Sequence, residues 1–431
     1  MKVCVQGLWH LGTVTAACLA KAGHQVIGLD DDPAVVEALS GGRPPLFEPG
    51  LEDLVRTGLG ATTLRFTTDA AAAIDNADVV WVAFDTPVDD DDRADVGYVE
   101  TRVEAIFPFL KPGALVLISS QLPVGSTARL ENAFQESHPR ARASFACTPE
   151  NLRLGNAISA FLEPDRVVAG VRSDADRTRI AELLRPITSR IEWMSVESAE
   201  MTKHAINAFL ATSVAFINEL STLCEQVGAD AKEVERGLKT ESRIGPKARL
   251  GPGSAIAGGT LARDLQFLSD IGRRAHCATH LIAGVKASND AHKTWAGRKL
   301  LARLGTVEGK KIGVLGLTYK PGTDTLRRSS AIELCLWLAS QNARVWAHDP
   351  AVPALPVELA DRIQLAGSVD ELLCDAEAVV VATEWPVYRD IRADEIVKRT
   401  KNPLIVDPNR FLDATLGKDT RLAYDAVGMP R

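Results

Sequence analysis

Apolar runs alternate with helical stretches over about the first 170 residues of the chain. Five runs rich in valine, isoleucine and leucine are predicted strands, at 2–6, 25–29, 78–83, 114–119 and 166–170. Strands that alternate with helices predict a parallel sheet with crossover helices packed on its faces. The chain therefore begins with an α/β domain, for which we predict the bounds 1–195.

The pattern changes in the middle of the chain and returns near its end. Between about 196 and 300 the apolar positions follow a long helical period, which predicts a helix that ends at Gly228. From Lys310 strands and helices alternate again, and the predicted strands lie at 312–315, 344–347, 378–382 and 404–406. We therefore predict a central helical domain at 196–303 and a second α/β domain at 304–431.

Composition and charge narrow the class of protein. The 431 residues are too many for one ordinary core, and 46% apolar with 24% charged residues is typical of globular proteins. The net charge of −7 comes from interspersed acidic and basic residues, so we expect no nucleic-acid partner. The N-terminus leaves no room for a signal peptide, and no apolar run approaches the ~18 residues of a membrane span. We expect a cytoplasmic protein with no membrane partner.

The seven cysteines are scattered and include no C-x-x-C pair. Neither a disulfide framework nor a zinc site is indicated by such spacing. We expect reduced, mostly buried thiols and no metal.

A glycine turn lies between the first strand and the first helix, in the segment Gly7-Leu8-Trp9-His10-Leu11-Gly12. Backbone N–H groups at such a turn, together with the helix dipole, can hold a pyrophosphate. The next strand ends at Asp30, whose carboxylate would accept the hydroxyls of an adenosine ribose, while Asp31 and Asp32 would repel a ribose phosphate. The pattern favours NAD over NADP, bound by Gly7, Trp9, His10, Leu11, Gly12 and Asp30. A structural turn that binds no nucleotide is the alternative.

Six further segments follow one another along the chain. They are Pro45 to Leu51; Thr86-Pro87 with Asp95; Pro149 to Gly155 with Pro164-Asp165-Arg166; Lys203 with Asn207 and Asn218-Glu219; Arg243-Ile244-Gly245; and Tyr319 to Asp324 with Arg327 and Ser329. In this order and spacing they resemble the motifs of the UDP-glucose/GDP-mannose dehydrogenase family over essentially the whole chain.

The resemblance implies an α/β fold with two Rossmann-like, doubly wound parallel-sheet domains joined by a central helical domain with a long helix. It also implies a homodimer formed through the helical domain, a nucleotide-sugar substrate and NAD. Similar enzymes oxidise a primary alcohol at C6 to a carboxylate with two NAD, and the second step normally passes through a cysteine thiohemiacetal. The expected cofactor site then also includes Thr86, Pro87, Gln121 and Arg327.

The cysteine loop of the family, G-F-G-G-x-C-F-P-K-D, resembles the segment from Ala255 to Asp264, where Thr260 stands in the cysteine position. A thiol with a pKa near 8.5 ionises readily, whereas a threonine hydroxyl ionises only far above physiological pH. Thr260 therefore cannot simply replace the nucleophile. A threonine activated by Asp264, one helical turn away, is the alternative.

Other departures from the family also fall on site loops. Gln121 stands where the family has a threonine that helps to hold the catalytic water, and Asn151 and Leu154 replace an aromatic residue and a glutamate. Asp407-Pro408-Asn409-Arg410 replaces a D-G-R-N-like turn.

The residues for a first oxidation are present. Lys203 and Asn207 lie four apart and share one helix face, where an amine could take the alcohol proton or stabilise an alkoxide. Glu150 and Asp264 could hold a water or tune the lysine. The alternatives are a surface lysine at Lys203, a helix cap at Asp264 and an ordinary loop carboxylate at Glu150.

The resemblance also supplies a substrate-binding set. Arg243 is expected to reach the substrate of the neighbouring subunit, and Lys320 and Arg327 to contact or frame the nucleotide, unless they are structural ion-pair residues. The set comprises Asn151, Leu152, Arg153, Lys203, Asn207, Arg243, Gly258, Gly259, Tyr319 and Lys320.

Three functions are compatible with these residues. The first is a two-electron dehydrogenase of a UDP-sugar or related nucleotide-linked alcohol, and the second is a four-electron enzyme that makes a uronate through the hydrated aldehyde. The third is a non-catalytic nucleotide-binding homologue, against which Glu150, Lys203, Asn207 and Asp264 together argue.

Overall fold

The computed structural model describes residues 1–89, 93–257 and 259–430, so Gly258 of the predicted substrate-binding set lies outside the described residues. The chain forms two compact units, Met1–Ala205 and Ile206–Arg431. The division falls inside one long helix, Val196–Val227. The predicted domain bounds 1–195, 196–303 and 304–431 stay a prediction.

The first unit contains an eight-stranded sheet in the order β3-β2-β1-β4-β5-β6-β7-β8. Its strands are β1 Lys2–Gln6, β2 Gln25–Leu29, β3 Leu64–Thr67, β4 Val79–Val82, β5 Ala114–Ile118, β6 Ala143–Cys147, β7 Val167–Gly170 and β8 Ile191–Met194. Neighbouring strands pair in parallel except β6 and β7, which meet antiparallel. The central strands β4 and β5 are buried along their whole length, because helices cover both faces of a doubly wound sheet.

Nine helices begin in the described part of the first unit. They are α1 His10–Lys21, α2 Pro33–Ser40, α3 Leu51–Gly60, α4 Ala70–Ile74, α5 Val96–Glu104, α6 Ser126–Ser137, α7 Ala157–Leu162, α8 Asp174–Leu184 and α9 Val196–Val227. A short 3-10 helix, Phe107–Phe109, precedes β5.

The second unit continues from α9 into four more helices and a six-stranded parallel sheet in the order β11-β10-β9-β12-β13-β14. Its strands are β9 Lys311–Leu315, β10 Arg344–His348, β11 Ile363–Leu365, β12 Ala378–Val381, β13 Leu404–Val406 and β14 Ala423–Asp425. Its helices are α10 Ala231–Thr240, α11 Thr260–Arg274, α12 His280–Lys293, α13 Trp295–Leu304, α14 Ser330–Ser340, α15 Val357–Ala360, α16 Val369–Leu373 and α17 Ala393–Arg399; a 3-10 helix, Pro386–Asp390, follows β12.

The predicted fold class is confirmed: two parallel-sheet, Rossmann-like layers with a helical region between them in the sequence. In both sheets the first five strands, numbered along the chain, lie side by side in the order 3-2-1-4-5, which is the order of dinucleotide-binding folds.

Helix α9 is long and apolar enough to cross a membrane by length and composition alone. The core helix of a globular protein passes the same test. Polar and charged side chains lie buried along α9, among them Lys203, Asn207 and Asn218. These residues connect the helix to loops of the same chain, as the site below shows.

Candidate active site

Gly7 and Gly12 allow the start of α1 to approach the sheet closely. Gly7 follows β1 with φ +87°, and a Cβ there would lie 2.5 Å from the ring of Phe84. A Cβ on Gly12 would lie 1.6 Å from the carbonyl oxygen of Gly7. Only glycine fits either position, and the packed turn matches the geometry that a pyrophosphate-binding turn requires.

Asp30 lies beside this turn, as the sequence predicts. One carboxylate oxygen accepts a hydrogen bond from the backbone N–H of Leu8 at 2.7 Å, and the other accepts from that of Asp32 at 3.0 Å. Burial raises the pKa of Asp30, although both hydrogen bonds act to lower it. A carboxylate fixed at the end of β2 fits the hydroxyls of an adenosine ribose.

The other predicted cofactor residues of the first unit lie at the same carboxyl edge of the sheet. The Thr86 hydroxyl donates to the carbonyl oxygen of Gln121 at 2.9 Å, which joins the loop after β4 to the loop after β5. The backbone N–H of Leu11 donates to the carboxylate of Asp85 at 3.0 Å. Trp9, at the N-cap of α1, is 49% exposed.

Lys203 is buried on α9 and is not a surface lysine. Its Nζ donates to the carbonyl oxygen of Glu150 at 2.6 Å and lies 3.2 Å from the Glu150 carboxylate. The same carboxylate accepts from the backbone N–H of Leu152 at 2.8 Å. Gln121 and Lys203 line one small cavity with His204. Glu150 thus pairs with Lys203 through both its carbonyl oxygen and its carboxylate, and it is not an ordinary loop carboxylate.

Two further residues of α9 hold the loop that contains Gln121, and the sequence did not single them out. Glu200 accepts hydrogen bonds from the backbone of Gly125 at 2.6 Å and from the backbone and hydroxyl of Thr127 at 2.9 and 2.7 Å. His204 Nε2 lies 3.0 Å from the carbonyl oxygen of Leu122. Their spacing of four residues, next to Lys203, is the signal that could have found them.

Glu48 is another site residue that the sequence did not assign, although it lies in a motif shared with the family. Its buried carboxylate accepts from the backbone N–H groups of Gly155 and Ala157 at 2.7 and 2.8 Å, and lies 3.0 Å from His10 Nε2. It therefore fixes the loop that carries Asn151, Leu152 and Arg153 to the first residue of α1.

In the second unit the structure brings Asn207 and Asp264 together. The Asn207 amide donates to the carboxylate of Asp264, which is fully buried on α11. Gly259, with φ +112°, is the N-cap of α11, so Asp264 is not the cap. Thr260 is the first residue of α11 and is exposed, one helical turn from Asp264.

The loop before Thr260 is held by amide side chains. Asn218 accepts from the backbone N–H of Gly253 at 3.0 Å, and Asn289 accepts from that of Ile256 at 2.7 Å. Asn409, in the turn that departs from the family pattern, accepts from the backbone N–H of Ser254 at 2.7 Å. The loop is thereby fixed on three sides.

The remaining predicted substrate residues lie on exposed loops of the second unit. The Arg243 side chain is 86% exposed and pairs with Glu241 at 2.9 Å. Tyr319 is 45% exposed, Arg327 is exposed and Lys320 is partly exposed, all in the loop after β9.

The second sheet repeats the layout of the first at one point. Gly316 follows β9 with φ +91°, as Gly7 follows β1, and Asp349 ends β10, as Asp30 ends β2. Asp349 already accepts from the backbone of Leu317 and Thr318 at 2.7 and 2.9 Å. The Trp385 indole also donates to it, at 3.0 Å.

All seven cysteines are free thiols, and only Cys277 and Cys374 are exposed. Burial raises the pKa of the Cys4, Cys18 and Cys335 thiols to about 12. Within the described ranges, no three histidine, cysteine or acidic side chains lie close enough to hold a metal ion.

A dinucleotide-type turn, an acid at the end of β2 and a buried lysine held by a carboxylate define a nicotinamide-dependent oxidoreductase. The chain belongs to the UDP-glucose/GDP-mannose dehydrogenase family. The models of its NAD binding, central and UDP binding domains match residues 1–188, 197–291 and 313–414.

Individual relatives match over the full length. The chain is 36% identical to a UDP-glucose 6-dehydrogenase of Rhizobium meliloti (strain 1021), over 100% of both chains. It is 32% identical to a UDP-glucose 6-dehydrogenase of Bacillus subtilis (strain 168), over 100% of this chain and 93% of the relative. A solved UDP-glucose dehydrogenase from Pyrobaculum islandicum superposes with a TM-score of 0.89 at 30% identity, covering 99% of this chain and 98% of the other. The protein is thus an NAD-dependent nucleotide-sugar dehydrogenase that acts on a CH–OH group.

Proposed function

We propose that the chain oxidises a UDP-sugar or a related nucleotide-linked alcohol by a single two-electron hydride transfer and releases a carbonyl product. The observation that carries this proposal is Thr260, which lies exposed at the start of α11 and to which the motif resemblance gives the position of the family cysteine. A hydroxyl cannot form the thiohemiacetal through which the second oxidation normally passes.

NAD accepts the hydride when it is bound, and the chain supplies position and proton transfer. We place the cofactor at the Gly7–Gly12 turn and Asp30, with the linked loops of Thr86 and Gln121 beside it. Lys203 Nζ takes the alcohol proton or stabilises the alkoxide as the C–H bond breaks. Its contacts to Glu150 hold that nitrogen in place before substrate arrives.

Asn207 and Asp264 form the second polar element. A fully buried carboxylate paired with an amide is fixed in orientation, so it can hold a substrate hydroxyl or a water. Such a pair also supports the second candidate function, a four-electron enzyme that oxidises the hydrated aldehyde. The similarity to UDP-glucose 6-dehydrogenases favours this second candidate as well.

The active form is a homodimer assembled through α9. Phe209, Phe216 and Leu223 recur every seven residues and are 70%, 51% and 59% exposed. A seven-residue apolar period is typical of helix pairs, and large exposed side chains in one stripe mark an interface. Burial of this stripe against its copy in a second chain is the arrangement that the stripe supports.

The decisive experiment measures NADH formed per substrate consumed at end point, with UDP-, GDP-, TDP- and CMP-linked sugars and an aldehyde trap in parallel. One NADH and a trappable carbonyl are expected. Two NADH and an acid would refute the two-electron proposal and leave the hydrated-aldehyde route. No NADH with any of these substrates would favour the non-catalytic homologue.

The variant Thr260→Cys tests the missing thiol directly. We expect it to form some acid product, with more than one NADH per substrate, because the nucleophile for the second step is restored. Thr260→Ala is the matched control and should keep the first oxidation within about threefold. A loss of more than about a hundredfold in Thr260→Ala would instead make Thr260 itself a nucleophile or a base partner.

A further inference from the structure

Asp85 occupies the anion-binding end of α1. Trp9 at the N-cap makes no side-chain hydrogen bond to the helix, and the first turn contains no acidic residue. The first N–H groups of a helix lack helical partners, and the helix dipole adds attraction for a negative charge. Leu11 N–H donates to the Asp85 carboxylate at 3.0 Å, so a carboxylate of the same chain takes the place of a capping anion.

The same N–H group belongs to the turn where we place the cofactor pyrophosphate. Pyrophosphates bind at this helix end in dinucleotide-binding folds, and they carry the same sign of charge as Asp85. We infer that Asp85 competes with the pyrophosphate for the start of α1, so that it stabilises the cofactor-free turn and weakens NAD binding. This inference rests on the cofactor placement made under the proposed function.

The backbone around Asp85 is fixed on both sides, so its carboxylate can leave the N–H group of Leu11 by a movement of the side chain. On one side, Ala83 N–H donates to the carbonyl oxygen of Gln6 at 2.8 Å, and Phe84 is buried against Gly7. On the other side, the Thr86 hydroxyl is bonded to Gln121. The Asp85 side chain is exposed between these two anchors and can turn into solvent. Competition therefore needs no refolding of the loop.

Titration calorimetry on the full chain tests this inference with three ligands: NAD, ADP-ribose and adenosine. Asp85→Ala should bind NAD and ADP-ribose about three- to tenfold more tightly, since it removes a competing negative charge at the helix end. Adenosine has no pyrophosphate, and its affinity should stay within about twofold. Without ligand, the melting temperature of Asp85→Ala should fall by about 2–4 °C, because α1 loses its capping anion.

Opposite changes in ligand-free stability and NAD affinity are the expected signature, and Asp85→Asn should show both changes at a smaller size. Glu104→Gln removes the same charge from the end of α5 and should change neither quantity. Equal or weaker NAD binding by Asp85→Ala, with normal binding by the wild type, overturns the inference. Absence of NAD binding in the wild type would instead refute the proposed cofactor placement, and the inference with it.

Discussion

Lys203 is buried although lysine is usually an exposed residue, and its amine is held by both the backbone and the carboxylate of Glu150. The sequence could predict the importance of Lys203 from the motifs around it and its spacing from Asn207. It could not predict the contact with the Glu150 carbonyl, because residues 53 positions apart leave no local pattern. For the same reason the sequence could not predict the hydrogen bonds of Glu48 and Asp85, whose partners lie far away along the chain.

Replacement of Lys203 separates catalysis from cofactor binding. Lys203→Met keeps the length of the side chain but removes the amine that we propose takes the alcohol proton, so turnover should fall by about 10²–10⁴-fold. The NAD dissociation constant should stay within about threefold. Steady-state kinetics and calorimetry measure the two quantities.

Lys398→Met, on the exposed side of α17, is the control and should retain full activity. Turnover of Lys203→Met within tenfold of the wild type would contradict the proton-transfer role.

At the scale of elements, the strand–turn–helix unit of β1, the glycine turn and α1 depends on close backbone packing. The positions of Gly7 and Gly12 in the sequence predict this packing. The predicted strands at the centres of both sheets are present, because continuous apolar runs mark strands buried on both faces. Five strands were missed: β3, β8, β11 and β14 are edge strands of three or four residues, and β6 is an inner strand whose first two residues, Ala143 and Ser144, are only partly buried. Their pairing with a neighbouring strand, not their own sequence, makes them strands.

An added methyl group tests the turn. Gly12→Ala would place a Cβ 1.6 Å from the carbonyl oxygen of Gly7, so the turn must open, and we expect a loss of about 1–3 kcal/mol in unfolding free energy. NAD binding should weaken strongly in the same variant. Denaturant unfolding and calorimetry measure both effects.

The matched control is Gly60→Ala at the end of α3, where a Cβ meets nothing within 4 Å. It should leave NAD binding unchanged and raise stability by up to about 1 kcal/mol. An equal stability for the two variants would show that the turn tolerates opening.

At the scale of the whole molecule, the seven-residue spacing of Phe209, Phe216 and Leu223 is visible in the sequence, but their exposure is not. The fold shows it, because the neighbouring residues Ala211 and Ile217 are the ones buried in the core. The long helix itself was predicted to end at Gly228, and it ends at Val227.

A charge on the stripe of Phe209, Phe216 and Leu223 should separate the proposed homodimer. Phe216→Glu places a carboxylate in an apolar interface, where burial of an unpaired charge is costly, so the subunits should dissociate at micromolar concentration. Analytical ultracentrifugation reports the mass. Val357→Glu makes the same change at an 82% exposed position of α15 and should leave the mass unchanged. An undissociated Phe216→Glu dimer would place the interface elsewhere.

The hydrogen bonds that already surround Asp349, at the end of β10 in the second sheet, affect how the protein responds to the concentration of its cofactor. Asp349 shares the position of Asp30, but its carboxylate is already used by two backbone amides and the Trp385 indole. All of these bonds, and one from the Thr318 hydroxyl, end on Oδ2 of Asp349, so only Oδ1, which accepts from the backbone N–H of Ala351, could meet an adenosine ribose there. We therefore expect each chain to bind one molecule of NAD, even when the cellular NAD concentration rises. Excess NAD should then not compete with the sugar nucleotide for the UDP binding domain and should not inhibit the enzyme.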